Sequence, residues 1–151
     1  MIKIICVGKI KESFYREAII EYQKRLSKYT KLEVIELPDV TTSNIEENIR
    51  KEAIMIQKYI GQKDYVITLE IEGTQVSSET FAQKIDSIYQ TNSTITFIIG
   101  GSYGLSQNIK QMSNWSLSFS KMTFPHQLFR IVLLEQIYRA YKINHHESYH
   151  K

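Results

Sequence analysis

The chain has one cysteine and two prolines among its 151 residues. Cys6 alone permits no internal disulfide, and its place in an apolar run makes it a small buried hydrophobe rather than a nucleophile. No apolar run approaches the length of a membrane span. Met1 to Val7 is apolar but short, and Gly8-Lys9 closes it without a cleavage-site pattern. That stretch reads as a first strand rather than a signal peptide, so a cytoplasmic protein without a membrane partner is expected. Several motifs are also missing. No Gly-x-Gly-x-x-Gly follows a first strand, which argues against a dinucleotide site. No Gly-Lys-Ser/Thr loop is present to cradle a nucleoside triphosphate. No Cys/His spacing points to a metal, and no Gly-x-Ser-x-Gly elbow offers a hydrolase nucleophile.

Acidic residues are absent from Ser87 through Leu134, and all four histidines fall at or after His126. Residues 1–86 carry 13 basic and 14 acidic side chains, whereas residues 87–151 carry 6 and 2. The overall charge of +3 therefore belongs to the C-terminal half. That asymmetry fits a polyanionic partner docking there.

Hydrophobic content of 42% and charged content of 23% are those of a globular protein, and the length suits one domain, residues 1–151. Strand and helix patterns alternate. Ile2–Val7, Leu32–Leu37, Tyr65–Ile71 and Thr94–Ile99 read as strands. Ser13–Lys28 reads as a helix. A second helix carries the stripe Ile45, Ile49, Ala53, Ile56 and Ile60, is capped from Thr41-Thr42-Ser43-Asn44 and ends at Gly61. A third begins at Ser77 or Ser78 and runs to about Gln90, and a short one covers Ser106–Met112. Trp115, Leu117 and Phe119 alternate with serines, which predicts a fifth strand. A final helix runs from Pro125 to about Ile143. The fold class is α/β, a mainly parallel sheet with helices on both faces. The last helix is apolar around most of its circumference, which predicts packing on two sides, one of them a second subunit. Glu135 and Arg139 stand four apart and can pair.

The most informative stretch is Thr96-Phe97-Ile98-Ile99-Gly100-Gly101-Ser102-Tyr103-Gly104. A buried-type strand opens into a glycine loop, the arrangement by which such sheets bring backbone close to a ligand. Gly100 and Gly101 are read as positions where a side chain would occupy ligand volume.

Val7-Gly8-Lys9, Thr68-Leu69-Glu70 and Ile99 through Leu105 form part of a longer pattern. It continues through Leu117-Ser118-Phe119-Ser120-Lys121-Met122-Thr123-Phe124-Pro125-His126 to the ending Tyr149-His150-Lys151. Over its whole length the chain resembles the RlmH family of SPOUT methyltransferases, which methylate N3 of a pseudouridine in 23S ribosomal RNA. The resemblance implies a C-terminal trefoil knot, a homodimer and S-adenosylmethionine as methyl donor, with the RNA presented in the ribosome. It places the cofactor on Leu69, Gly100 and the loop Phe119, Ser120, Lys121, Met122, Thr123 and Phe124, and Gly101 can add its backbone. The chain departs from the pattern in two places. The segment between Pro38 and Glu52 is shorter, and His145-His146-Glu147-Ser148 stands where a glycine and often a proline occur.

An imide N3 is a weak nucleophile until its proton leaves. His150 is the candidate acceptor or its orienting group, Tyr149 the candidate platform for the base, and Arg139 a third candidate catalytic group. The tail of one subunit is expected to reach the partner's cofactor pocket. Lys9, Lys121, Arg130, Arg139, Lys142 and Lys151 are candidates for phosphate contacts. Two rivals stay open: a non-catalytic RNA- or ribosome-binding protein of the same fold, and a tRNA methyltransferase.

Overall fold

A computed structural model describes residues 1–151. Five strands and five helices follow in order: β1 (Ile2–Val7), α1 (Ser13–Leu26), β2 (Leu32–Leu37), α2 (Ile45–Gln57), β3 (Tyr65–Thr74), α3 (Ser78–Tyr89), β4 (Ile95–Ile99), α4 (Gln107–Met112), β5 (Trp115–Leu117) and α5 (His126–Asn144). All strand pairs are parallel, in the order β2-β1-β4-β3-β5. No helix is long and apolar enough to cross a membrane.

Alternation along the central strands divides the core. Ile2, Ile4 and Cys6 of β1 point with Phe97 and Ile99 of β4 into the larger cluster, formed with α1, α3 and α5. Ile5, Val7 and Ile98 point to the opposite face, where Ala53, Ile56 and Ile109 of α2 and α4 cover them. Helices therefore lie on both faces. Cys6 is fully buried, and burial pushes its thiol up to about 11, with Arg130 opposing the shift. It packs as the hydrophobe that the sequence indicated.

The capping residues act as expected. Asn44 accepts from Glu47 N at 3.1 Å and Ser77 from Thr80 N at 3.1 Å; Ser106, read as the first residue of its helix, proves to be a cap as well and accepts from Ile109 N at 3.2 Å. Several boundaries differ from the sequence reading: α1 stops at Leu26, α2 stops at Gln57 before Ile60, β4 opens at Ile95, and Pro125 precedes α5 as its cap. β3 runs on to Thr74, and β5 stops at Leu117, leaving Phe119 in the following loop. The cause is an irregularity in the ladder, where Leu117 pairs with both Leu69 and Thr74 and the intervening residues of β3 bow outward. Gly73 makes this possible. A Cβ there would lie 2.7 Å from the Ser116 carbonyl oxygen, so only glycine lets the backbones approach.

The end of α5 is a Schellman turn. His146 N donates to Ile143 O and Glu147 N to Lys142 O, each at 3.0 Å, and His146 adopts the left-handed conformation with φ 55°. This is the segment where the sequence departs from the glycine of its resemblance family. A histidine occupies a glycine's conformation, at some cost in strain.

Candidate active site

The loops leaving the C-terminal ends of β3, β4 and β5 enclose a cavity of about 670 Å³. This is the end of a parallel sheet where ligands bind, and the volume suits a small organic molecule. Leu69, Leu105, Leu117, Phe119, Phe124 and Phe129 supply apolar walls. Glu70, Lys110, Ser118, Ser120, Thr123 and His126 supply polar groups. The rim carries large apolar side chains left in solvent. Met122 is 78% exposed, and Ile71 and Phe124, which also line the cavity, are exposed.

Of the nine expected cofactor residues, eight line this cavity: Leu69, Gly100, Gly101, Phe119, Ser120, Met122, Thr123 and Phe124. Lys121 does not, and its side chain points to solvent. The loop is held in shape from within, since Met122 N donates to Ser120 Oγ at 2.9 Å and Ser118 Oγ to Ser120 O at 3.2 Å. The glycines also have a structural reason within the protein. A Cβ on Gly100 would meet the Gly104 carbonyl carbon at 2.9 Å, and one on Gly101 would meet Glu52 at 3.1 Å. Gly104 N donates to Gly101 O at 3.0 Å, and Gly104 has φ +84°. The tight turn itself therefore demands Gly100, whereas a side chain on Gly101 would press on the Glu52 and Val7 side chains.

Sequence reasoning assigned no role to Glu70, Lys110, His126 or Phe129. Glu70 accepts from Thr68 Oγ1 at 2.7 Å and pairs with Lys110 Nζ at 3.5 Å. Burial alone would raise its carboxyl. The hydrogen bonds from Thr68 and Ser116, with the Lys110 charge, outweigh that and hold it below the usual range. The 40-residue separation of Glu70 and Lys110 left no local signal. His126 had one, because it follows the Thr123-Phe124-Pro125 segment directly and opens α5.

Arg130 is not a phosphate contact. It is 2% exposed, and its guanidinium donates to Val7 O at 3.2 Å, to Gly8 O, and to Glu36 Oε2 at 2.7 Å. The first turns of α5 pass the end of β1, and Arg130 supplies donors to carbonyls there. Its Nε is buried without a partner. Lys142 is likewise engaged, with Nζ 2.5 Å from Glu147 Oε2; that hydrogen bond raises its pKa and lowers that of Glu147. Lys9, Lys121 and Lys151 are exposed and make no ion pair, which leaves them as the open basic groups of the expected set.

The three expected catalytic residues do gather, but away from the cavity. Arg139 pairs with Glu135 at 2.6 Å, and its guanidinium lies 4.8 Å from the Tyr149 ring centroid. Tyr149 OH donates to Glu135 Oε2 at 2.8 Å, where Tyr22 OH also donates. His150 lies between Arg139 at 3.2 Å and Glu79 Oε1 at 2.6 Å, and this bond is the main cause of the lowered Glu79 carboxyl. The tail is thus tied down along α3 and α5. Arg139 is thirteen residues beyond His126, roughly 20 Å along the helix. None of Arg139, Tyr149 and His150 lines the cavity of its own chain.

Residues 1–150 match the family model described as predicted SPOUT methyltransferase. The chain belongs to the SPOUT methyltransferase family. A ribosomal RNA large subunit methyltransferase H from Clostridium botulinum strain 657 is 54% identical over 157 aligned residues, covering 99% of each chain. The protein of that name from the Loch Maree strain matches equally well over the same span. A relative from Methanococcus maripaludis is 53% identical with the same coverage. The α/β architecture with its parallel sheet is that of a SPOUT protein, and the cavity is lined mostly by its C-terminal half. No group of three or more His, Cys, Asp or Glu side chains stands close enough together to hold a metal ion.

Proposed function

We propose that this SPOUT protein transfers a methyl group from S-adenosylmethionine to N3 of a pseudouridine in 23S ribosomal RNA, within the assembled ribosome. The observation that carries the reading is the cavity of about 670 Å³ formed by the glycine loop and the Phe119–Phe124 loop. Its apolar walls suit an adenine ring, and its serine, threonine and carboxylate groups suit the ribose and amino acid ends. The C-terminal segment between β5 and α5 would form the knot of the family. The bound donor would supply a methyl group on a sulfonium. The chain's own residues would hold it: Leu69, Gly100, Gly101, Phe119, Ser120, Met122, Thr123 and Phe124 around the donor, with Glu70, fixed by Thr68 and Lys110, in the cavity wall.

In this reading the protein acts as a homodimer. Leu128 and Val132, one turn apart on α5, are half-buried yet join neither hydrophobic cluster. The same stripe continues to Glu135 and Arg139, where the tail is anchored. A partner packed on this stripe would bring its Tyr149, His150 and Lys151 toward the exposed apolar rim of the cavity. The tail would then orient the target base in line with the methyl group. Lys9, Lys121 and Lys151 would meet phosphates.

The test is methylation of ribosomes from a strain lacking the protein, read by the mass of the modified nucleoside in 23S RNA, with donor binding measured by calorimetry. Donor binding without methylation of any RNA would favour the non-catalytic rival. A modified tRNA would favour the other.

A further inference from the structure

Outside the tail, His126 has the clearest unused chemistry. It is the first residue of α5 and lines the cavity beside Thr123, Phe124 and Phe129. Neither ring nitrogen has a hydrogen-bond partner in the protein, in contrast to His145, whose Nδ1 lies 2.9 Å from Tyr141 O, and His150, which is engaged at both nitrogens. The other titratable groups of the cavity are poor candidates for taking a proton. Glu70 is held by Thr68 and Lys110, Lys110 is a cation, and Glu72 lies on the outward bow of β3.

We propose, building on the methyltransferase reading above, that His126 is the base that accepts the N3 proton of the target ring. The N3–H bond breaks and the proton goes to an imidazole nitrogen. The electron pair left on N3 forms the new N–C bond as the methyl carbon leaves sulfur, whose bonding pair stays on sulfur. Imidazole becomes imidazolium, the sulfonium charge disappears, and the imidazolium returns its proton to water.

The surroundings keep the ring in the form that this step needs. Partial burial lowers the His126 pKa. The Arg130 guanidinium one turn along α5 acts in the same direction, and Asp39, after β2, opposes them. The positive end of the 19-residue helix also disfavours a charged ring at its first position. The neutral imidazole, an acceptor, is therefore the resting species at neutral pH. His150 keeps the role of orienting the base.

The test uses the full-length protein with His126→Gln and His126→Asn. Donor affinity by calorimetry should stay near wild type in both. Single-turnover methylation of unmodified ribosomes should fall by roughly a hundredfold. The acidic limb of the wild-type pH–rate profile should vanish, the residual rate climbing with hydroxide instead. In wild type without donor, the His126 ring proton resonance should titrate below the ordinary histidine range, and it should shift when donor is added. Donor binding and near-normal turnover in the variants would overturn the proposal, as would loss of donor binding in both. A wild-type protein that binds no donor would overturn the underlying reading, and the proposal with it.

Discussion

Replacing Arg130 with methionine should destabilise the fold while leaving the charge of the RNA-facing surface untouched. Methionine approximates the volume of the arginine stem, so little cavity results. What is lost is hydrogen bonding. Val7 O and Gly8 O lose their guanidinium donor, and Glu36 loses a partner at 2.7 Å. The Glu36 side chain is 38% exposed and recovers water, so that loss is worth at most about 1 kcal/mol. Each carbonyl left without a donor costs about 1–3 kcal/mol. Removing a buried charge with one unpartnered nitrogen returns part of this. The net is a loss of about 2–4 kcal/mol, or roughly 10 °C in melting temperature for a chain of this size. Arg130→Lys should recover little, because one ammonium cannot serve the forked set of acceptors. Thermal unfolding followed by circular dichroism reads this directly. A melting temperature unchanged in both variants, with RNA affinity and its salt dependence reduced, would show that Arg130 faces RNA and that its buried position is wrong.

His146→Gly should raise stability by about 1 kcal/mol in thermal unfolding, since glycine takes the left-handed turn without strain; a loss would mean that the histidine ring makes a contact worth more than the strain. Burial raises the Glu52 carboxyl, with Val40 N–H opposing and Asp39 reinforcing the shift. A raised folded pKa means that stability is fully present below the unfolded value of 4.5 and declines as pH rises through the folded one. Glu52→Gln should therefore flatten that decline and stabilise the protein at neutral pH; a steeper decline in denaturant titrations would refute this sign. Val132→Asp should turn a dimer into a monomer in sedimentation, and a dimer of undiminished affinity would remove α5 from the interface. Deleting Ser148–Lys151 should leave donor binding intact and lower methylation by at least about a hundredfold; near-normal turnover would make the tail a structural strap only.

Local chemistry made much of this protein legible from its residues. Period-two and helical patterns located all ten elements, because side-chain direction follows from backbone geometry within a few residues. The caps Asn44 and Ser77 marked helix starts for the same reason. The strand-to-glycine passage at Ile99-Gly100-Gly101 pointed to the cavity, and the block from Leu117 to Lys151 pointed to the family. The tertiary structure decided what depends on distant partners. Arg130 reads as a surface cation until β1, 123 residues earlier, places the Val7 carbonyl beside it. Gly100 reads as a ligand contact, and only the fold adds that Gly104 packs back onto it. Tyr149, His150 and Arg139 read as serving a partner's cofactor pocket, and only the fold shows how far they stand from their own, with Arg139 roughly 20 Å along α5 from His126. His126 reads only as the close of the Leu117–His126 pattern until the cavity forms beside it. Periodicity is a property of neighbours in the chain. Burial, pairing and the company a titratable group keeps are properties of neighbours in space.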